Sequence, residues 1–239
     1  NFAISYLNLG NILIANGRLK EAEASTRKAI EIEPDLANAH HNLGVIMKGL
    51  YNLKEAEKSM YKCIELNPNY INAYVNLGLI LKDMSKLKEA EIMIRKAIKL
   101  NPDLAAAHNN LGIILKDLGR LKEAEISINK AIKINPNYAM AYSNLGMIYK
   151  DLGNIDEAIT SFSKAISLEP NLEVALMNRW QLYFDIGKFD LALSDADSCN
   201  TKEARACAIE TLYALRRIDE IYNRIEKLSL SDDKNIRLA

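Results

Sequence analysis

Apolar residues along the chain fall into short stripes with helical spacing, separated by turn-forming residues. In one clear stretch they recur at i, i+3, i+4 and i+7, which places them on one face of a helix. They are Leu111, Ile114, Leu115 and Leu118. Gly119 follows, as is typical of a helix end, and a second stripe stops before Pro136, which lacks the backbone N–H a helix needs. The pattern predicts two helices joined by a short turn, which must pack antiparallel.

This unit recurs every 34 residues, and three markers keep the same register. The five prolines of the chain are Pro34, Pro68, Pro102, Pro136 and Pro170. The triplet Asn-Leu-Gly begins at Asn8, Asn42, Asn76, Asn110 and Asn144. The pair Glu-Ala begins at Glu21, Glu55, Glu89, Glu123 and Glu157. A repeated helix pair therefore builds most of the chain.

Small residues indicate where the two helices of a pair touch. Glycine inside a helix costs about 1 kcal/mol relative to alanine, so its return in every copy predicts a close helix–helix approach. These glycines are Gly10, Gly44, Gly78, Gly112 and Gly146. Matching small residues on the second helices are Ala22, Ala56, Ala90, Ala124, Ala158 and Ala192.

The pattern resembles the tetratricopeptide repeat family, through its Leu-Gly, its alanines and its terminal proline. The resemblance implies an all-α fold: a right-handed α-solenoid superhelix of antiparallel helix pairs, with the first helices lining the concave face. Six repeats are expected at 3–36, 37–70, 71–104, 105–138, 139–172 and 173–200. An atypical C-terminal helix pair is expected at 201–230, and the start of a further, truncated helix at 231–239, as in a piece cut from a longer protein.

The sixth repeat departs from the pattern, because Arg179-Trp180 replaces Leu-Gly and the closing proline is absent. The close approach at glycine cannot be reproduced there. Trp180 either fills the space left by the altered repeat or anchors a ligand.

A ladder of asparagines is the strongest candidate for binding. It consists of Asn8, Asn42, Asn76, Asn110, Asn144 and Asn178. In the family this position faces the groove, and an amide can pair with both N–H and C=O of an extended peptide. A similar ladder lines the repeats of the protein O-linked N-acetylglucosamine transferases, which this chain resembles. The alternative is that these asparagines only support packing between repeats.

Neighbouring positions complete the expected peptide-binding set. From the same register it includes Asn38, Asn72, His41, Asn109, Lys82 and Lys116. The lysines belong to a second ladder that begins at Lys48 and ends at Lys150, and an aspartate follows three of its four members. Such an edge could meet an anionic partner, or the lysines could complement the helix dipole while the adjacent aspartates cancel their field.

Composition excludes several function classes. Lysine plus arginine and aspartate plus glutamate number 31 each, so no large basic field exists for nucleic acid. No apolar run approaches the roughly 20 residues that span a bilayer, and three cysteines fit a reducing compartment. We expect a cytoplasmic protein, and the Lys-, Asn- and Ile-rich composition suggests a bacterial source. No catalytic, metal or cofactor motif occurs.

The sequence thus predicts a non-catalytic scaffold that binds an extended peptide segment of another protein in an Asn-lined groove. In the alternative, the array recruits protein substrates for a glycosyltransferase-, oxygenase- or sulfotransferase-type domain outside this chain. Self-association through the terminal repeats is a third hypothesis. No nucleic-acid partner and no membrane insertion are expected.

Overall fold

A computed structural model of the chain describes residues 2–226, and within that range every regular element is an α-helix. The first eight helices are α1 Phe2–Ala15, α2 Leu19–Ile32, α3 Ala37–Gly49, α4 Leu53–Leu66, α5 Ile71–Asp83, α6 Leu87–Leu100, α7 Ala105–Asp117 and α8 Leu121–Ile134. The next five are α9 Ala139–Asp151, α10 Ile155–Leu168, α11 Glu173–Asp185, α12 Phe189–Asp197 and α13 Lys202–Ala214. Residues 218–226 form α14. The expected end of this last pair, 227–230, and the further helix at 231–239 lie outside the described residues.

The turn inside each repeat uses one left-handed residue, as the glycines predict. Gly119 has φ of 75°, and the amide of Arg120 returns to the carbonyl of Leu115 at 2.9 Å. In the second repeat Tyr51 takes the same conformation with φ of 59°, although a side chain there costs roughly 1–2 kcal/mol. The turn geometry is therefore kept where the glycine is lost.

The predicted close approach of the two helices is confirmed. A Cβ placed on Gly112 would lie 2.5 Å from Cδ1 of Ile128 and 3.3 Å from the carbonyl oxygen of Ala124. The other first-helix glycines face Thr26, Met60, Ile94 and Phe162 in the same way. The alanines at the marker position of the second helices are fully buried. Glycine on one helix thus makes room for a larger residue on the other.

The chain divides into two compact units, residues 1–136 and 137–239. In the first unit, α1 contacts α3, α3 contacts α5 and α5 contacts α7, and no comparable contact joins α2, α4, α6 and α8. The first helices therefore form the more tightly packed layer, as the inner side of a curved stack does. In the second unit each helix from α9 to α12 packs on its successor. This is the all-α solenoid architecture expected from the sequence.

Trp180 confirms the packing interpretation and not the ligand anchor. Its side chain is 6% exposed and packs against Leu193, Ala196 and Leu212. Its indole Nε1 donates to the Thr211 hydroxyl at 3.0 Å, so both its surface and its polar group are already engaged. Among the described helices, none is long and apolar enough to cross a membrane.

Candidate peptide-binding surface

The first helices of residues 1–136 present a surface rich in side-chain amides, which we call the amide surface. It is formed by Asn8, Asn11, Asn38, Asn42, Asn72, Asn76 and Asn110. These residues are exposed or half-buried, because they lie on the side of the first helices that the second helices do not cover. Six of the seven, all except Asn11, belong to the peptide-binding set that the sequence predicts.

Two ladder asparagines bond to the preceding first helix. Nδ2 of Asn42 donates to Oδ1 of Asn11 at 2.6 Å, and Nδ2 of Asn76 donates to Nε2 of His41 at 2.9 Å. These two contacts join successive repeats, as the packing alternative expects. One bond does not exhaust an amide, which has two N–H donors and an acceptor oxygen.

His41 lies at the centre of one of these contacts. Its ring stacks on Tyr70 with centroids 5.0 Å apart. Because the Asn76 amide nitrogen can only donate, Nε2 of His41 accepts and the neutral ring carries its proton on Nδ1. Burial lowers the pKa of His41, against the opposing hydrogen bond with Asn42. The ring is therefore an uncharged part of the surface at neutral pH.

Three residues of the expected set offer less to a ligand than the sequence suggested. Asn109 and Asn144 are buried, with 2% and 5% of their surface exposed. Nδ2 of Asn178 donates to the carbonyl of Val174 in its own helix at 2.8 Å. Uniform presentation of the ladder along the chain is thus not observed, and the accessible amides concentrate in residues 1–136.

Three of the four ladder lysines lie near aspartates. Nζ of Lys48 lies 3.3 Å from Asp83, and Nζ of Lys82 lies 3.9 Å from Asp117. Lys48 is followed by Gly49, and both lysines take their aspartate from the next repeat. Lys116 does lie near its neighbour Asp117, at 3.8 Å. At Lys48, Lys82 and Lys116 the edge therefore presents paired charges instead of free cations.

Family models for the tetratricopeptide repeat match residues 37–70, 71–104, 105–138 and 139–172, and a model for the TPR repeat matches residues 2–50. Together they cover 2–172 without a break. The chain belongs to the tetratricopeptide repeat family. The search of curated proteins finds no match.

Solved structures similar to this tetratricopeptide repeat protein include YrrB, MamA and PilF. YrrB, a TPR protein with an unusual peptide-binding site, is 28% identical with a TM-score of 0.59, over 73% of this chain and 90% of that one. MamA is 26% identical with a TM-score of 0.61, over 67% and 94%. PilF of Pseudomonas aeruginosa, at 20% identity, a TM-score of 0.71 and coverage of 82% and 89%, shares the fold.

The contacts between repeats were the part that sequence reasoning missed in this tetratricopeptide repeat protein. The partners of the ladder residues are Asn11, His41, Asp83 and Asp117. They lie 31 or 35 residues from the residues they bind, close to one repeat length. A search for polar pairs at these separations would have found them.

Proposed function

We propose that this chain is a non-catalytic interaction module that binds an extended peptide segment of another protein on the amide surface. The observation that carries the proposal is a set of unused amides on four successive first helices. Asn8, Asn38, Asn72 and Asn110 have no hydrogen-bond partner among the described residues. They are accessible, and their donors and acceptors are satisfied only by solvent.

The chemistry of these amides suits a peptide backbone. Each can donate to a carbonyl and accept from an N–H of the same extended strand, without reference to the peptide side chains. The surface carries little net charge because His41 is neutral and the lysine edge is paired. The similarity to YrrB, which has a peptide-binding site, supports the same class of ligand here.

The resemblance to the repeat region of protein O-linked N-acetylglucosamine transferases motivates a finer proposal. In it, the same surface recruits protein substrates for a catalytic domain outside this chain. The amide ladder supports this only in its first four members, since Asn144 and Asn178 are buried or bonded within their own helix. The three cysteines, all unpaired, support a reducing compartment such as the cytoplasm.

The test removes the unused amides together. Peptides selected from a phage-displayed random library on the wild-type chain are synthesised, and their affinity is measured by calorimetry for wild type and for the variant Asn8→Ala/Asn38→Ala/Asn72→Ala/Asn110→Ala. With each amide contributing about 0.5–1.5 kcal/mol, the affinity should fall at least about 30-fold. The helical content should be unchanged, since alanine is the better helix former.

Two controls separate binding from packing. Asn129→Ala removes an exposed amide from the second helix α8 and should leave the affinity unchanged. Asn42→Ala/Asn76→Ala breaks the contacts between repeats and should lower the melting temperature more than the quadruple variant does. Selected peptides that bind the quadruple variant as tightly as wild type would refute the proposal.

A further inference from the structure

Two cavities open between consecutive second helices in residues 1–136, and they are built from equivalent positions 68 residues apart. The repeat-2 pocket, between α2 and α4, has a volume of about 690 Å³. The repeat-4 pocket, between α6 and α8, has a volume of about 510 Å³. Shared positions include Ile30 and Ile98, His40 and His108, and Leu43 and Leu111. Both volumes are in the range of sites that hold small ligands or peptide side chains.

Each pocket is lined by the fourth residue of its repeat, which is His40 in repeat two and His108 in repeat four. Tyr74, at this position in repeat three, is 8% exposed, donates to the carbonyl of Pro68 at 3.1 Å and lies under Nζ of Lys96. His108 makes the corresponding contact to Pro102 at 2.9 Å. Histidine thus keeps the bond to the turn with a smaller ring, and a cavity lies beside it.

The two pockets differ in charge. Three cations and one carboxylate line the repeat-4 pocket: Arg95, Lys99, Lys130 and Glu123. Three cations and three carboxylates line the repeat-2 pocket: Arg27, Lys58, Lys62, Glu31, Glu55 and Glu65. Lys99 and Lys130 have no ion-pair partner among residues 2–226. Of these two pockets, the repeat-4 pocket is therefore the one whose lining residues carry a net positive charge.

The wall of the repeat-4 pocket also carries exposed apolar surface. Ile126 is 70% exposed and lines the pocket together with Ile98 and Leu115. The equivalent residue of the repeat-2 pocket is Lys58. A large apolar side chain in the same pocket as two unpaired lysines favours a ligand that buries the isoleucine and supplies carboxylates.

We propose that the repeat-4 pocket is a second binding site, for an acidic peptide segment of a partner protein that inserts one apolar side chain. The apolar side chain covers Ile126 and Leu115, and flanking carboxylates pair with Lys99 and Lys130. This site goes beyond the amide surface, because most of its lining comes from the second helices α6 and α8, and α7 contributes His108, Leu111 and Leu115 but none of the surface amides. It selects acidic peptides, whereas the amide surface is indifferent to side chains.

The probe is a fluorescein-labelled peptide with a single leucine between glutamates, titrated by fluorescence anisotropy up to about 1 mM, since one anchor and two charges give weak binding. His108→Tyr copies Tyr74 and should reduce the affinity about 30-fold, as loss of a central anchor does. Lys99→Glu copies Glu31 and should reduce it about 5-fold and weaken its salt dependence. The matched control His40→Tyr alters only the repeat-2 pocket and should change nothing.

Two further variants test the pocket independently of His108→Tyr and of the amide surface. Ile126→Lys copies Lys58 and should also weaken binding, which keeps the test valid if His108→Tyr folds poorly. The quadruple asparagine variant should bind the acidic probe normally, so failure of the amide surface is distinguishable from failure of this site. Absence of binding at 1 mM, equal losses in His40→Tyr and His108→Tyr, or equal binding of a lysine-flanked probe would each overturn the proposal.

Discussion

The fifth repeat and the helix pair that follows it have equivalent interfaces between their two helices, but the large side chain comes from opposite helices. In repeat five, Gly146 on the first helix faces the ring of Phe162 on the second. One repeat later these two positions hold Trp180 and Ala196, both buried in one cluster. The large side chain lies on the second helix in repeat five and on the first helix in the next pair. The interface therefore requires a certain total side-chain volume, and either helix can supply it.

A polar exchange accompanies the exchange of volume. Leu145 and Ser161 of repeat five correspond to Arg179 and Asp195, which form a two-point ion pair with distances of 2.9 and 2.6 Å. Burial opposes the charge of Arg179, but the bond and the charge of Asp195 outweigh it and raise its pKa. The altered pair thus depends on a buried ion pair that the regular repeats lack.

The largest expected effect comes from breaking that ion pair. Asp195→Ala leaves a largely buried arginine without its partner and should lower the free energy of unfolding by about 3–5 kcal/mol. Chemical denaturation followed by circular dichroism measures it. The double variant Arg179→Leu/Asp195→Ser restores the residues of repeat five and should recover most of the loss; a double variant as unstable as Asp195→Ala would contradict this account.

A smaller loss is expected from adding one methyl group to the regular interface. A Cβ on Gly146 would lie 2.7–2.9 Å from three atoms of the rigid Phe162 ring, so Gly146→Ala should cost about 1–3 kcal/mol despite its better helix propensity. In a Phe162→Ala background the same change should cost nothing. A thermodynamic cycle over the four proteins gives the coupling, and additive effects would show that glycine and phenylalanine do not share the space.

A stabilising change tests the first repeat against the others. Thr26 faces Gly10 where other repeats have an apolar side chain, and its hydroxyl is buried without a hydrogen-bond partner. Thr26→Val should raise stability by about 1–2 kcal/mol, because it removes the desolvated hydroxyl and keeps the shape. Thr160→Val is the control: Thr160 is exposed and bonded to the carbonyl of Asp156, so no gain should appear in its melting curve.

The smallest expected effect is on how stability depends on pH. Because the pKa of His41 is lowered in the folded chain, the unfolded chain binds its proton first as the pH falls through about 6.5. Stability attributable to this residue is therefore complete above that pH and decreases below it. His41→Val, which copies Val75, should flatten the dependence of the melting temperature between about pH 7.5 and 5; an unchanged slope would exclude His41 as its source.

The repeats and the turns could be predicted from the sequence because each is set by local chemistry. Pro136 and Gly119 fix helix ends through the backbone alone, and the glycine–alanine register fixes the helix contact. The candidate site was less accessible to this reasoning. Burial of Asn109 depends on how neighbouring helices pack, and the partner of Lys82 lies in the next repeat.

The two pockets also could not be predicted from the sequence alone. The shared register of His40 and His108, which lie 68 positions apart, is visible in the sequence. Its connection with a pair of cavities requires the positions of α2, α4, α6 and α8 as well. The charge difference between the pockets then follows from single residues such as Glu31 and Lys99.

The nearest-neighbour contacts of the first unit bear on how it folds. Apart from contacts within a repeat, its helices meet only those of the adjoining repeat, so few residues distant in sequence must find each other. Such low contact order favours rapid folding that begins in one repeat and spreads to the next. Amide hydrogen exchange should then be slowest in the middle repeats and fastest in α1, which has a neighbouring repeat on one side within the unit.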